Sequence, residues 1–421
     1  MSWNVVLNKF VEIKQKFINT FGKDELWKYK EDDVFSNCVD YWVAKLNISE
    51  YISLTQPLQI NEYNDMVLIR YGKFSDVFGG ESEYEFADFW DMYDGFYMEC
   101  RSVVINIVDN ELVLTPFRKF RNINECEENS EANIARRIRR AKCVEFTNKL
   151  DGSMQSARWY RNHLVMSGSQ ALDASSSFRL EDGYAMVSKD ANCVEMLKKY
   201  LDYTAIFEYI SLKDAHVVHY TKEQEGMYLI GMRNVNTGVE LPYSDVIAIA
   251  NAYNLRTTEA YNKTLNEVMS SLDEKKSDEA EGFVLNVDGY KVKIKYNDYV
   301  NMHGILSAMS SINLIIHSIA DDNWDDFLAK VPDAYKDRAY EVSNKVFEFV
   351  RKKELVVNEW YQKLLANNYE TRKDSMIWID ANVPKSLRGY VRSKYLGMEC
   401  NYLKNGNGRY IMMKEIDAFL N

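Results

Sequence analysis

The sequence has no apolar run of about eighteen residues, so no membrane-crossing helix is expected. Its start, Met1-Ser2-Trp3-Asn4-Val5-Val6, lacks the basic residues and apolar block of a signal peptide. Cysteine and histidine are sparse. The six cysteines (Cys38, Cys100, Cys126, Cys143, Cys193, Cys400) are scattered with no Cys-x-x-Cys pair. That argues against a zinc ribbon and for reduced thiols in a cytoplasm. Of five histidines, His216 and His219 are close, but no third ligand stands nearby, so a histidine metal site is not expected. Positive charge is in deficit too, with a net charge of −11. Such a chain does not coat nucleic acid indiscriminately, although a nucleic-acid enzyme needs only a local basic track. There is no internal repeat, low-complexity segment or phosphate-loop motif.

What is present suits a soluble globular chain of two or three domains: 421 residues, 46% hydrophobic and 27% charged. Val6, Phe10, Ile13, Phe17 and Ile18 recur at helical spacing over 3–22. Strands are expected at Met66–Tyr71, Ser102–Ile107, Leu112–Leu114, Val144–Asn148, Leu164–Met166, Ala205–Ile210, Tyr228–Arg233, Ala280–Leu285 and Tyr290–Tyr296. Helices are expected over 130–142, 189–202, 243–254 and 257–272. Past residue 300 strand signals fade. Val342, Val346, Phe349, Val350, Val356, Trp360 and Leu364 form an apolar helical stripe, and Pro332 and Pro384 fall where helices should begin. A domain boundary is placed there, giving 1–300 and 301–421. The fold class is α+β, followed by an all-α C-terminal domain.

Several charged residues interrupt this apolar pattern. Lys149 is followed by Leu150-Asp151-Gly152-Ser153, which alone reads as a hairpin turn with a solvated lysine. Glu208 sits inside the run Ala205–Ile210, and Glu281 heads another. Lys291, Lys293 and Lys295 alternate with apolar residues, so they share one face of a strand. Singly, each has an ordinary explanation: a paired buried acid, a strand start, a charged edge that guards against aggregation. Arg136, Arg137, Arg139, Arg140 and Lys142 form either a solvated helix face or a phosphate-facing patch. Lys385, Arg388 and Arg392, with Lys394, Tyr390 and Tyr395, are open to the same two readings.

In order, Lys-x-Asp-Gly, Phe-Glu, Glu-Gly-Phe-Val and Lys-Ile-Lys follow the pattern of the covalent nucleotidyltransferases. The sequence resembles the ATP-dependent RNA ligases, most closely the phage RNA ligase 1 family that seals broken tRNA. Ser153 after Gly152, Cys100-Arg101-Ser102-Val103 and Pro116-Phe117-Arg118-Lys119-Phe120-Arg121-Asn122 carry that likeness, with Phe207-Glu208-Tyr209 and Lys293-Ile294-Lys295. It covers about residues 95–300. Ser102 stands where the family has Gly, and Arg121 where a second Phe is usual.

The resemblance implies a nucleotidyltransferase (adenylation) domain of the ATP-grasp-like ligase type, with antiparallel sheets and flanking helices, over 1–300. A helical domain that helps select RNA would follow over 301–421. It implies an enzyme that takes ATP and Mg²⁺, or Mn²⁺, and joins RNA 5′-phosphate and 3′-hydroxyl ends through lysyl-AMP and RNA-adenylate. Lys149 would be the nucleophile, and a nucleophilic lysine must shed a proton held with a pKa near ~10.4. Neighbouring cations are expected to depress it, a bound metal and Lys293 or Lys295 among them. Lys293 and Lys295 would grip the α-phosphate, and Gly152 would let the backbone approach the nucleotide. Arg101 and Lys119 would hold outer phosphates. Glu208 would contact ribose or metal, Glu281 would be the main metal ligand, and Asp151 would orient Lys149 or a metal-bound water. Nicked tRNA, a separate end-healing kinase-phosphatase, a monomer and a host cytoplasm complete the expectation. DNA ligases and capping enzymes remain rivals, but usually carry an oligonucleotide-binding barrel where helices stand here. An inactive nucleic-acid binder is the other alternative.

Overall fold

The computed structural model describes residues 2–21, 58–71, 92–214, 216–310, 312–329, 331, 333–405 and 408–420. Cys38 and Pro332 lie outside these residues; the other five cysteines are free thiols. The chain divides into two compact units, Met1–Tyr299 and Val300–Asn421.

The first unit is built on three sheets. β1 (Leu58–Tyr63), β2 (Met66–Tyr71), β3 (Arg101–Asn106) and β4 (Glu111–Leu114) form an antiparallel sheet in that order. Its central strands are apolar at consecutive positions because both faces are covered. Val67, Ile69, Val103 and Ile105 pack with Val6 and Phe10 of the helix Val5–Phe21 and with Phe96 and Tyr97 of the helix Met92–Glu99. Leu68, Val104, Val113 and Leu114 pack the other way, against Tyr160 and Val165.

β5 (Val144–Lys149), β6 (Ser153–Tyr160), β7 (His163–Ser167), β8 (Tyr203–Ile210) and β9 (Gly226–Asn234) follow, then β10 (Arg256–Thr257), β11 (Ala260–Tyr261), β12 (Gly282–Val287) and β13 (Tyr290–Lys295). They divide into sheets ordered β10-β9-β8-β6-β7 and β11-β5-β12-β13. All pairings are antiparallel except β10 with β9. The helices Phe178–Lys189, Ala191–Lys199 and Tyr243–Ala252 cover the five-stranded sheet, with Leu180, Met196, Leu197 and Val246 against Ala157, Ala205, Phe207 and Leu229.

Three expectations need correction. β5 and β6 belong to different sheets, so Lys149-Leu150-Asp151-Gly152 is a crossing between sheets and not a hairpin turn. The span 257–272 is helical only at Leu265–Ser270; before it the chain supplies the edge strands β10 and β11. Its helical signal amounts to one buried turn, Leu265 and Val268. The helix expected over 130–142 is capped by Ser130 and stops at Ile138, where its single buried residue, Ile134, leaves nothing to carry it further.

The second unit is helical. A 33-residue helix, Asp333–Leu365, carries the apolar stripe. Val346 and Phe349 pack with Ile316, Ile411 and Ile416, and Val357 and Leu364 with Ile379, Val383 and Val391. Its basic face is partly spent internally: Arg392 pairs with Asp380, and Tyr390 donates to the Lys404 carbonyl at 2.8 Å. No helix among the described residues is long and apolar enough to cross a membrane.

Candidate active site

Register places the charges that the sequence scatters. Lys149 ends β5 opposite Gly282 of β12, and Gly282 lies opposite Lys295 of β13. Two residues along, Thr147, Val284 and Lys293 form the next row. Period-2 alternation therefore puts Lys149, Lys293 and Lys295 on one face while Phe146, Phe283, Leu285, Val292 and Ile294 fill the other. Gly282 has φ +149°, and a Cβ there would meet the Ile294 carbonyl at 2.2 Å, so only glycine lets the three strands close.

Glu281, next to Gly282, joins the two outer lysines. Its Oε2 accepts from Lys149 Nζ at 2.7 Å and its Oε1 pairs with Lys295 Nζ at 2.9 Å. It is 3% exposed, so this is a buried ionic cluster with its charges offset in place. Burial alone would raise the Glu281 carboxyl, but Lys149 and Lys295 hold it below its ordinary value. Burial presses the Lys149 ammonium downward, yet Glu281, Glu208 and Asp151 outweigh it, so the amine sits above its usual value. The expected depression of Lys149 is thus absent from the free protein, because its nearest charge is a carboxylate. Lys293 behaves oppositely: burial, then Arg101, Lys149, Lys119 and Lys295, push its amine well below the ordinary value.

These side chains open on a cleft of about 480 Å³, within the range of small-molecule sites. It brings together Arg101, Lys149, Gly152, Glu208, Lys293 and Lys295. Gly152 donates its N–H to Glu208 Oε1 at 3.1 Å. A Cβ on Gly152 would meet the Tyr209 carbonyl at 2.5 Å, so the crossing strand lies directly on β8. Burial pushes Glu208 up to about 7 against the pull of Lys149, with Glu281 adding to the rise.

Three expected residues sit elsewhere. Asp151 faces away from the cleft: its Oδ2 accepts from the amides of Val217 (2.9 Å) and Val218 (3.0 Å), and its Oδ1 from the Tyr299 hydroxyl (2.8 Å). It braces the crossing. Both oxygens of Glu281, the expected metal ligand, are engaged by lysines. Lys119 lines a smaller neighbouring hollow, its Nζ 5.6 Å from the Tyr71 ring. Ser102 explains the departure from glycine noted in the sequence. Its φ is +66°, the region glycine favours, at the end of a register shift between β2 and β3. Its hydroxyl donates to the Ser169 carbonyl at 2.7 Å.

The sequence reading missed Arg70 and Tyr71 of β2 in the cleft wall, although a lone cation in Met66–Tyr71 is the same signal that exposed Glu208. It also missed the buried network around Asp214. That carboxylate accepts from Ser153 Oγ (2.7 Å) and pairs with Arg179 (2.6 Å) and His216 Nε2 (3.0 Å). Burial would raise it, but these partners draw it well below the carboxylate range.

Among the described residues, no group of three or more His, Cys, Asp or Glu side chains is arranged to hold a metal. The donor set fits a hydrated Mg²⁺ carried on substrate phosphates, reached by a cleft carboxylate through water. Glu208, whose Oε1 holds the Gly152 amide, would be that carboxylate, and the ion would supply further positive charge at the phosphate oxygens.

Residues 99–299 match a family model described as RNA ligase. Among solved structures, the Naegleria gruberi RNA ligase with PPi is 18% identical, with 41% of this chain and 55% of that chain covered and a TM-score of 0.33. The chain thus spans little more than half the length of that ligase. An archaeal ATP-dependent RNA ligase (form 2) is 14% identical, with 87% of this chain and 92% of that chain covered and a TM-score of 0.43. The matched segment carries Lys149, Glu208, Glu281, Lys293 and Lys295.

Proposed function

We propose that this chain is an ATP-dependent RNA ligase whose nucleophile is Lys149. The observation that carries this reading is the row Lys149–Gly282–Lys295, with Lys293 beside it, on the floor of the cleft. A lone catalytic lysine amid further lysines suits displacement at phosphorus, where charge builds on the equatorial oxygens.

In the first step the Lys149 nitrogen loses a proton to solvent and bonds to the ATP α-phosphorus as the bond to pyrophosphate breaks. Lys293 and Lys295 hold the phosphate oxygens. Drawing Lys295 onto phosphate takes one of Glu281's two cations away. Glu281 keeps Lys149 aligned until the amine is freed. In the second step an oxygen of an RNA 5′-phosphate attacks the AMP phosphorus, and the Lys149 nitrogen leaves and regains a proton. In the third, a 3′-hydroxyl gives its proton to solvent as its oxygen bonds to the 5′-phosphorus and the bond from that phosphorus to AMP breaks.

The finer reading is nicked tRNA as substrate, with ends prepared by a separate kinase-phosphatase, a monomer working in the cytoplasm of a phage-infected host, and the helical unit 301–421 helping to select the RNA. The test is sealing of a 5′-phosphorylated RNA to a 3′-hydroxyl RNA. The junction should become phosphatase-resistant only with ATP and a divalent ion. A nicked anticodon stem-loop should be sealed faster than an unstructured pair. Equal sealing of DNA ends would refute the RNA assignment.

A further inference from the structure

Arg70 and Arg101 are directly opposite each other on β2 and β3. Residues directly opposite on an antiparallel pair share a face, and like charges there repel. Both line the same wall of the cleft, together with Ser102, Ser169 and Gln170. Their hydrogen bonds go to carbonyl oxygens. Arg70 Nε donates to Tyr71 O (3.2 Å), Arg70 Nη1 to Ser169 O (3.4 Å) and Arg101 Nη1 to Arg118 O (3.4 Å). Among the described residues, neither guanidinium has an Asp or Glu oxygen within salt-bridge reach. Arg101 instead lies over the Phe120 ring at 5.2 Å, as does Lys293 at 5.0 Å. The sheet is held in this register by a shift between Ile69 and Arg70 and by Ser102 in the left-handed region. Two arginines set side by side with no ion pair among the described residues, at the end of a cleft floored by lysines, make a fork for a doubly charged anion.

We propose that Arg70 pairs with Arg101 to form a terminal-phosphate subsite, which holds either the outer phosphates of ATP or the 5′-phosphate of an RNA end. Arg70 lies outside the family-matched segment 99–299, so this contact belongs to the preceding sheet. Both ligands present a terminal phosphate that a planar guanidinium can hold with two hydrogen bonds. The assignment of the ligands rests on the ligase reading; the anion site itself does not.

The test is isothermal calorimetry of inorganic pyrophosphate against the wild type, Arg70→Gln and Arg70→Lys, alongside binding of one oligoribonucleotide with a 5′-phosphate or a 5′-hydroxyl. A charge-assisted contact predicts pyrophosphate binding about tenfold to a hundredfold weaker in Arg70→Gln, with part of the affinity recovered in Arg70→Lys. A loss confined to pyrophosphate assigns the subsite to ATP, and loss of the preference for 5′-phosphate assigns it to RNA. Unchanged affinity in both arms overturns the proposal. Arg70→Gln should melt no lower than the wild type without anion, because the cross-strand repulsion is gone. A lower melting point with equal losses of both RNAs would make Arg70 structural and also overturn it. A wild type that binds pyrophosphate yet never forms an AMP adduct would refute the ligase reading and leave the anion site standing.

Discussion

Lys293→Met is expected to melt a few degrees higher than the wild type and to form the AMP adduct at least about a hundredfold more slowly. The two effects have one cause. Lys293 is buried among cations, with Arg101, Lys149, Lys119 and Lys295 opposing its charge. Its folded pKa lies below the unfolded value, so keeping it costs stability at neutral pH. That cost fades as the pH rises toward ~10.4, where the unfolded amine is neutral as well. A methionine of similar length removes the cost and packs over Phe120. In the proposed mechanism the same substitution removes a cation from the α-phosphate, where losing one preorganised contact typically costs about 10²–10³ in rate. Thermal melts at pH 7 and pH 10, with single-turnover adduct formation, check both. A variant that melts lower and reacts normally would show Lys293 to be a structural residue.

Glu281→Gln should lose several kcal/mol of stability and move the pH dependence of adduct formation to lower pH. Removing one partner of a buried ionic cluster costs about 3–5 kcal/mol, because the remaining charges stay buried. Glu281 serves two of them, Lys149 at 2.7 Å and Lys295 at 2.9 Å. The sign follows from the directions of the shifts. The folded Glu281 carboxyl lies below its unfolded value, so its stabilisation is present above ~4.3 and is lost as the pH falls through the folded value. Lys149 is held above its usual value mainly by Glu281 set against burial. Without that carboxylate only Glu208 and Asp151 oppose burial, and the neutral amine appears at lower pH. The rising limb of the rate profile should therefore shift toward acid, even as the maximal rate falls because Lys149 loses its alignment. A limb that stays in place would mean that Glu281 does not set the protonation of Lys149.

Much of the site was legible because its chemistry requires charges where an apolar strand has no other use for them. Lys149, Glu208, Glu281, Lys293 and Lys295 each interrupt a hydrophobic run; four of them line one cleft, and Glu281 is buried against Lys149 and Lys295. The register that aligns Lys149, Gly282 and Lys295 was not legible. β5 and β12 are separated by more than a hundred residues, and nothing local states which strands meet. Asp-Gly after Lys149 carries the same turn signal whether the chain folds back on itself or crosses to another sheet. The raised pKa of Lys149 in the free protein was not legible for a related reason. Charge sign can be read from sequence, whereas the nearest neighbour is set by pairing, and that neighbour proved to be Glu281. Asp151 shows the same limit: its role as a brace depends on the amides of Val217 and Val218 and on Tyr299.

In the proposed mechanism Lys149 carries AMP between ATP and RNA. Intact-protein mass after incubation with ATP and Mg²⁺, then with 5′-phosphorylated RNA, tests it most directly. The expected result is a gain of one AMP, absent in Lys149→Ala and lost again on adding the RNA. Folded protein that arrives without AMP and gains none, or an adduct that persists in Lys149→Ala, would contradict it.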